Sequence, residues 1–173
     1  MDKFDEFESW DKLDEICALL DALSVKYEIH RHDGDEFSYL NNGEICVKIP
    51  NPYSERTIFI DLQDEISLFF GPEWHEHYYL TKGDFDDFFD TLAGILKNEY
   101  CSAAVFIGED LRWGGSMLSD RKTIAENSAE EIFAGSHKEA KELRSSWEEK
   151  GAEVRFCFWN PTDDKTVVIE RKS

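Results

Sequence analysis

Arg56-Thr57-Ile58-Phe59-Ile60-Asp61-Leu62-Gln63-Asp64-Glu65-Ile66-Ser67-Leu68-Phe69-Phe70 is the stretch that decides the fold. Side chains on a strand point alternately to its two faces, so residues two apart share a face. Ile58, Ile60 and Leu62 form one apolar stripe, and Ile66, Leu68 and Phe70 form a second. Gln63-Asp64 between them is polar and short. The pattern predicts two antiparallel strands, 56–62 and 65–70, each with an aliphatic face turned to a core. Phe59 and Phe69 fall on the opposite face.

Working upstream, Tyr27–His32 and Asp35–Leu40 flank Asp33-Gly34, a favoured two-residue hairpin turn. Asn42-Gly43 then turns the chain into a strand over Glu44–Ile49, and Pro50 and Pro52 interrupt the pairing. Downstream, Gly71-Pro72 precedes a further extended stretch, Trp74–Leu80. Together these pieces read as an antiparallel meander. A helix is expected over residues 10–24, with Ser9 as its cap and Trp10, Leu13, Ile16, Leu20 and Leu23 at helical spacing. A second helix carries Phe85, Phe88, Phe89, Leu92, Ile95 and Leu96 on one stripe, with Asp84, Asp86, Asp87 and Asp90 in its first turns and Lys97 at its end. Those aspartates suit the positive end of the helix dipole, and a capped helix explains them better than a metal site.

Cys101–Ile107 reads as a buried strand, and 111–118 as another, broken by Gly114-Gly115. Ser128 and Ser136 each precede a glutamate by three residues, the signature of a capping box. They are expected to open a short helix ending near Gly135 and a longer one over 137–150. Val154–Trp159 and Thr166–Glu170 then form a closing hairpin. The expected fold is a single α+β domain over residues 1–173: an antiparallel meander with the N-terminal and central helices packed on one face, then a C-terminal helix and β-hairpin.

The composition sets limits on function. Hydrophobic residues make up 41% of the 173, enough for a substantial core. No apolar run approaches the ~18 residues of a membrane span, and the acidic start Met1-Asp2-Lys3-Phe4-Asp5-Glu6 does not read as a secretory signal. The expected compartment is the cytoplasm. Cys17, Cys46, Cys101 and Cys157 stand singly in apolar segments, without a C-x-x-C pair, and read as buried thiols.

Charge is the outstanding feature. There are 38 acidic and 19 basic residues, a net charge of −19, and 24 of the acids but only 8 of the bases lie in residues 1–99. Such a field repels nucleic-acid phosphates and anionic lipid, and it accelerates association with a cationic protein surface. Solubility alone is the plainer use of this charge. No direct nucleic-acid contact and no membrane contact are expected.

Two His-x-His pairs, His30/His32 and His75/His77, would each offer two imidazoles to one side of a strand, and zinc, nickel or copper suit such ligands. His30 and His32 share their face with Glu28, which fits exposed histidines on a polar surface. Around the second pair, Trp74, Glu76, Tyr78 and Leu80 lie on one side, and His75, His77 and Tyr79 on the other. Both sides carry aromatics, so periodicity does not say which is buried. Phe59, Phe69, Trp74, His75, Glu76, His77 and Tyr79 are the candidate binding residues, an outer patch of the kind found at interfaces. The competing expectation is that another element covers this face as a second core layer. Asp33, Asp35, Glu36 and Glu76 offer carboxylates to a histidine base, but chance proximity in so acidic a chain explains such pairings better. The chain has no G-x-S-x-G elbow, no P-loop and no H-E-x-x-H, and the Gly114-Gly115-Ser116 run is a lone glycine pair. No catalytic residue and no cofactor are expected. The alternative is a metal-binding domain or enzyme using His75 and His77.

The segment Ile66-Ser67-Leu68-Phe69-Phe70-Gly71-Pro72-Glu73-Trp74-His75-Glu76-His77-Tyr78 resembles stretches of small bacterial proteins, among them immunity proteins of polymorphic-toxin and contact-dependent inhibition systems. The resemblance covers about a dozen residues and the general profile of a short acidic α+β chain, and it transfers no binding residue. It implies a protein that binds a cognate toxin domain and blocks it. For a nuclease toxin, whose cleft must be basic to hold phosphates, an acidic partner would compete for that surface.

Overall fold

A computed structural model describes residues 8–32, 34–72, 74–118 and 145–172. The expected α+β fold is present, and the described residues form two sheets. The residues group into two compact units: Met1–Phe70 with His75–Ala93, and Gly71–Trp74 with Gly94–Ser173. Each unit buries apolar residues of its own.

The first sheet is a five-stranded meander, β1 (Glu28–His30), β2 (Ile45–Pro50), β3 (Thr57–Leu62), β4 (Ile66–Phe70) and β5 (Trp74–Tyr78), in that spatial order. Its register carries the aliphatic stripes across the sheet. Val47 lies opposite Ile60 and Ile60 opposite Leu68; Ile45 lies opposite Leu62 and Leu62 opposite Ile66. All of these side chains are at most 3% exposed, which identifies the core face. Over it lie α1 (Leu13–Ala22), burying Ile16 and Leu20, and α2 (Lys82–Leu96), burying Phe85, Phe88 and Leu92. Tyr78 of β5 meets Phe88 edge-on at 5.4 Å, and the Lys12 ammonium sits 4.6 Å from the centre of the Phe85 ring.

Two local expectations change. Ser9 does not cap the N-terminal helix. A 3-10 turn, Ser9–Lys12, precedes α1, and Glu8 and Asp11 form the capping box. The Ser9 hydroxyl instead donates to the Gln63 carbonyl, tying the helix start to the β3–β4 turn. Asp35–Leu40 is not a strand either: residues 34–39 are turns, and β1 takes β2 as its partner. The reason is that Phe37 and Leu40 are both apolar without keeping strand alternation. They bury together against Cys46, with Phe59 at the edge of the cluster.

Thr81 caps α2. Its hydroxyl accepts from the Asp84 amide and donates to the Asp84 carboxylate, which leaves Asp84 engaged in helix capping as its position suggests.

The second sheet has the order β7 (Asp110–Leu118), β6 (Cys101–Ile107), β8 (Ala152–Phe158), β9 (Lys165–Ile169). Gly114-Gly115 does not break β7. The pairing skips one residue there, with Ser116 opposite Ala103 and Gly114 opposite Ala104, so the glycines form a bulge in a continuous strand. Cys101, Ala103, Val105, Val154, Phe156 and Phe158 build this unit's core with Trp147. Trp147 comes from residues 145–150, which are helical, as expected for the end of the longer C-terminal helix. Its earlier part and the shorter helix opened by Ser128 lie outside the described residues. The closing hairpin forms across the turn Pro161–Asp163, capped by the Asn160 side chain. Asn98, in the left-handed region at φ 63°, accepts from the Asn160 amide at 2.8 Å and donates to Asp163.

All four cysteines are free; Cys46, Cys101 and Cys157 are buried and Cys17 is half-buried. Among the described residues, no helix is long and apolar enough to cross a membrane.

Two glycines of α2 make opposite predictions. A Cβ on Gly83 would meet nothing nearer than 3.9 Å, whereas one on Gly94 would stand 2.6 Å from the Tyr100 ring. Gly83→Ala is expected to gain up to about 1 kcal/mol from helix propensity. Gly94→Ala is expected to lose stability, because the ring carbons it strikes lie at the base of the Tyr100 side chain. Urea midpoints of the two variants, shifted in opposite directions, check this.

Candidate functional site

The outer face of the five-stranded sheet is the face that strand parity leaves over once the aliphatic stripes are buried. One cross-strand row runs Glu28, Lys48, Phe59, Phe69, and the next runs His30, Cys46, Asp61, Ser67. On β5, His75 stacks on Phe69 with centroids 5.7 Å apart, and His77 lies 2.9 Å from the Ser67 hydroxyl, so both imidazoles extend these rows.

The turns at 34–39 cover part of this face. His30 stacks on Phe37 at 3.9 Å, the His32 ring nitrogen Nδ1 lies 2.6 Å from the Leu40 carbonyl, and Lys48 bonds Glu36 at 3.1 Å. Tyr39 donates its hydroxyl to Asp61 at 2.9 Å. What stays open is the ground from Phe59 to His77. A cavity of about 350 Å³ lies at the margin, lined by Glu36, Phe37, Tyr39, Phe59, Asp61 and Phe69.

The candidate binding residues separate accordingly. Phe59 and Phe69 are half-buried on the outer face, and His75, His77 and Tyr79 are exposed. Trp74 is 4% exposed, and alternation along β5 places it with Tyr78 on the opposite side, so it is a core residue and not part of the patch. Glu76 falls on the side of Trp74 and Tyr78, although it is exposed. Neither of the two expectations for the outer face holds throughout: the turns bury its β1–β2 end as a small second core, and the rest faces solvent.

The two His-x-His pairs do different things. His30 and His32 each anchor the covering turns, His30 by stacking on Phe37 and His32 through Leu40, while His30 also meets Glu28 of its own strand. His75 and His77 have ring centroids 5.2 Å apart, edge to face. His77 Nδ1 lies 2.7 Å from a Glu65 carboxylate oxygen and 2.9 Å from the Ser67 hydroxyl. A serine–histidine–acid relay needs the serine on one ring nitrogen and the acid on the other. Here both address the same nitrogen, and Ser67 is 5% exposed, so the trio orients the imidazole without activating a nucleophile. Among the described residues, no three His, Cys, Asp or Glu side chains are grouped to hold a metal ion.

Residues the sequence did not single out supply the polar floor. Asp61 is 7% exposed on the outer face. Burial pushes its carboxyl above the ordinary aspartate range, against the opposing hydrogen bonds from Cys46 and Tyr39. The same surroundings push the Cys46 thiol up to about 12, chiefly by burial and then by the hydrogen bond to Asp61. The Tyr39 phenol is raised as well, by burial first and the bond to Asp61 next. Glu44 goes the other way: bonds from the Asn41 amide and side chain and from Gln63 hold it below its usual value. The available signal was that Asp61 interrupts an aliphatic strand at the same parity as Phe59. The part played by Phe37 and Tyr39 was hidden by reading their segment as a strand.

Comparison with protein-family models, curated proteins and solved structures finds no match to this chain.

Asp61 carries a pH dependence of definite sign. Its proton is held more tightly in the folded state than in the unfolded chain, so this residue's contribution to stability is full below the ordinary aspartate pKa and is lost as pH rises through the raised value. Asn at this position still accepts from Tyr39 but carries no charge to bury. Asp61→Asn is expected to be more stable than the parent at pH 7, with the gap closing as pH falls towards 4. Denaturant midpoints of both proteins across that range test it, and a gap that widens on acidification contradicts the account.

Proposed function

We propose that the chain is a non-catalytic, acidic binding protein of the cytoplasm that docks on a basic protein partner and blocks it, as an immunity protein neutralises a cognate toxin domain. The observation that carries this reading is the pairing of a large negative charge surplus with an open aromatic and imidazole face. The surplus is concentrated in residues 1–99, and Asp11, Asp14, Glu15, Asp21, Glu28, Asp35 and Glu36 are all exposed there. Phe59, Phe69, His75 and His77 stand together on one sheet face.

The division of labour follows from physics. Long-range attraction between an acidic surface and a basic cleft raises the rate of encounter, and it weakens as salt shortens the Debye length. Rings that leave water on docking hold the complex once formed, because binding energy concentrates in a few buried aromatic or arginine anchors. A nuclease toxin is a fitting partner, since its cleft must be cationic to hold a phosphate backbone. The short resemblance at 66–78 points the same way and covers Phe69, His75 and His77.

The rival reading, a metal-binding domain or enzyme using His75 and His77, draws less support. Among the described residues, no three His, Cys, Asp or Glu side chains are grouped around His75 and His77 to hold a metal ion.

The test is binding to the product of the adjacent upstream gene. A complex is expected whose association rate falls steeply between low and moderate salt, while dissociation changes little. Phe69→Ala is expected to speed dissociation by about tenfold or more, the effect of losing an anchor worth 1–2 kcal/mol. Co-expression is expected to protect cells from that product. No complex at low salt together with no protection overturns the proposal.

A further inference from the structure

We infer that the cavity between the 34–39 turns and strands β3 and β4 is a cage for one arginine side chain of the basic partner. This inference rests on the docking proposal and names the contact at its centre. Four of the six lining residues are aromatic, Phe37, Tyr39, Phe59 and Phe69, and the other two are carboxylates, Glu36 and Asp61. Aromatic faces attract cations through their quadrupoles, and adjacent carboxylates add charge and hydrogen-bond acceptors. Glu36 is bonded by Lys48 and Asp61 by Tyr39 and Cys46, but each carboxylate has lone pairs to spare that an apolar guest would leave unused, and an anion would be repelled by them and by the net charge of −19. A cationic guest suits both parts of the lining.

The protein already uses this chemistry at the margin of the same cavity. The Lys48 ammonium lies 5.8 Å from the centre of the Phe37 ring and 5.9 Å from that of Phe59, and it bonds Glu36 at 3.1 Å. The Phe37 and Phe59 rings and the Glu36 carboxylate thus hold a cation in the folded chain itself. Tyr39, Asp61 and Phe69 extend the same combination of rings and a carboxylate away from Lys48. Arginine is the guest that fits. Its planar guanidinium stacks on rings, gives up water more easily than an ammonium, and presents several donors in a fork. The hollow is open to solvent on one side, and its volume of about 350 Å³ accommodates one such side chain.

The probe is hexa-arginine peptide, titrated into the intact protein at 150 mM salt. Phe59→Leu and Phe69→Leu, which remove a ring and keep an apolar side chain, are each expected to weaken binding about fivefold or more. Asp87→Asn, which removes a charge on α2 outside the cavity, is expected to change it less than about twofold, as for a screened surface charge. Because Phe59 also touches the Phe37–Leu40 cluster, a second measurement uses the unaltered protein. The arginine δ-methylene protons are expected to shift upfield in the proton NMR spectrum as they enter the ring faces. Unchanged affinity in both leucine variants, or no upfield shift at saturation, overturns the cage and leaves charge-driven docking standing. A peptide that does not bind the parent protein also overturns the cage, while the docking proposal then stands or falls on the neighbouring-gene experiment alone.

Discussion

The structure around the candidate site depends on one constraint, the two-residue period of a strand held in register across a meander. Val47, Ile60 and Leu68 occupy one cross-strand row, and Ile45, Leu62 and Ile66 another, so every branched aliphatic side chain of β3 and β4 goes to the helix-covered face. A slip of one residue in any of these strands would turn that set away from the helices and put Asp61 and Lys48 among them in its place. At about 25 cal/mol per Å² of apolar surface, the loss on several aliphatic side chains at once would exceed the net stability of a typical domain. The register is therefore fixed by the core, and the composition of the outer face follows as its complement.

That complement has an unusual composition for a face left to solvent. It holds Phe59, Phe69, His75 and His77 in adjoining positions, with Asp61 and Ser67 between them. A meander needing only solubility would place charged or small polar groups at these sites. Instead, the charge is set around the rings, on the helices and turns. Covering the β1–β2 end of the face uses Phe37 and Leu40, whose burial fixes the position of Tyr39 and so of its hydrogen bond to Asp61. The turns thereby convert part of a flat sheet into a concave surface with a polar floor.

The sequence made the core face of the meander legible because alternation in β3 and β4 is unbroken for a dozen positions and the intervening turn is short. The central helix was legible for the same reason, from its apolar stripe and its acidic first turn. The Asp33-Gly34 dipeptide misled, because a hairpin signal is local and cannot show that β1 has a longer and better partner in β2. Ser9 misled similarly: its side chain is a good cap by type, but Glu8 and Asp11 satisfy the helix start reciprocally and free the hydroxyl for Gln63. At Trp74–Tyr78 both faces carried aromatics, so sequence alone left the choice open. Trp74 and Tyr78 are buried because that side of β5 continues the aliphatic face, where Phe88 meets Tyr78.

Docking through this face, as proposed, asks for a different balance of forces from catalysis. A catalytic imidazole must be free at one nitrogen and oriented at the other, and its neighbours must leave room for a reacting atom. Glu65 and Ser67 hold His77 at one nitrogen, and His75 leans on Phe69, so both rings are fixed in orientation. A docking face asks instead that its rings be fixed before the partner arrives, since ordering them on contact would cost affinity. Cross-strand rows fix Phe59 and Phe69 by backbone pairing, the turns fix Tyr39 through Asp61, and His75 is stacked in place. The arrangement meets that requirement on a strand scaffold, and under the docking proposal the charge outside it would bring a cationic surface close.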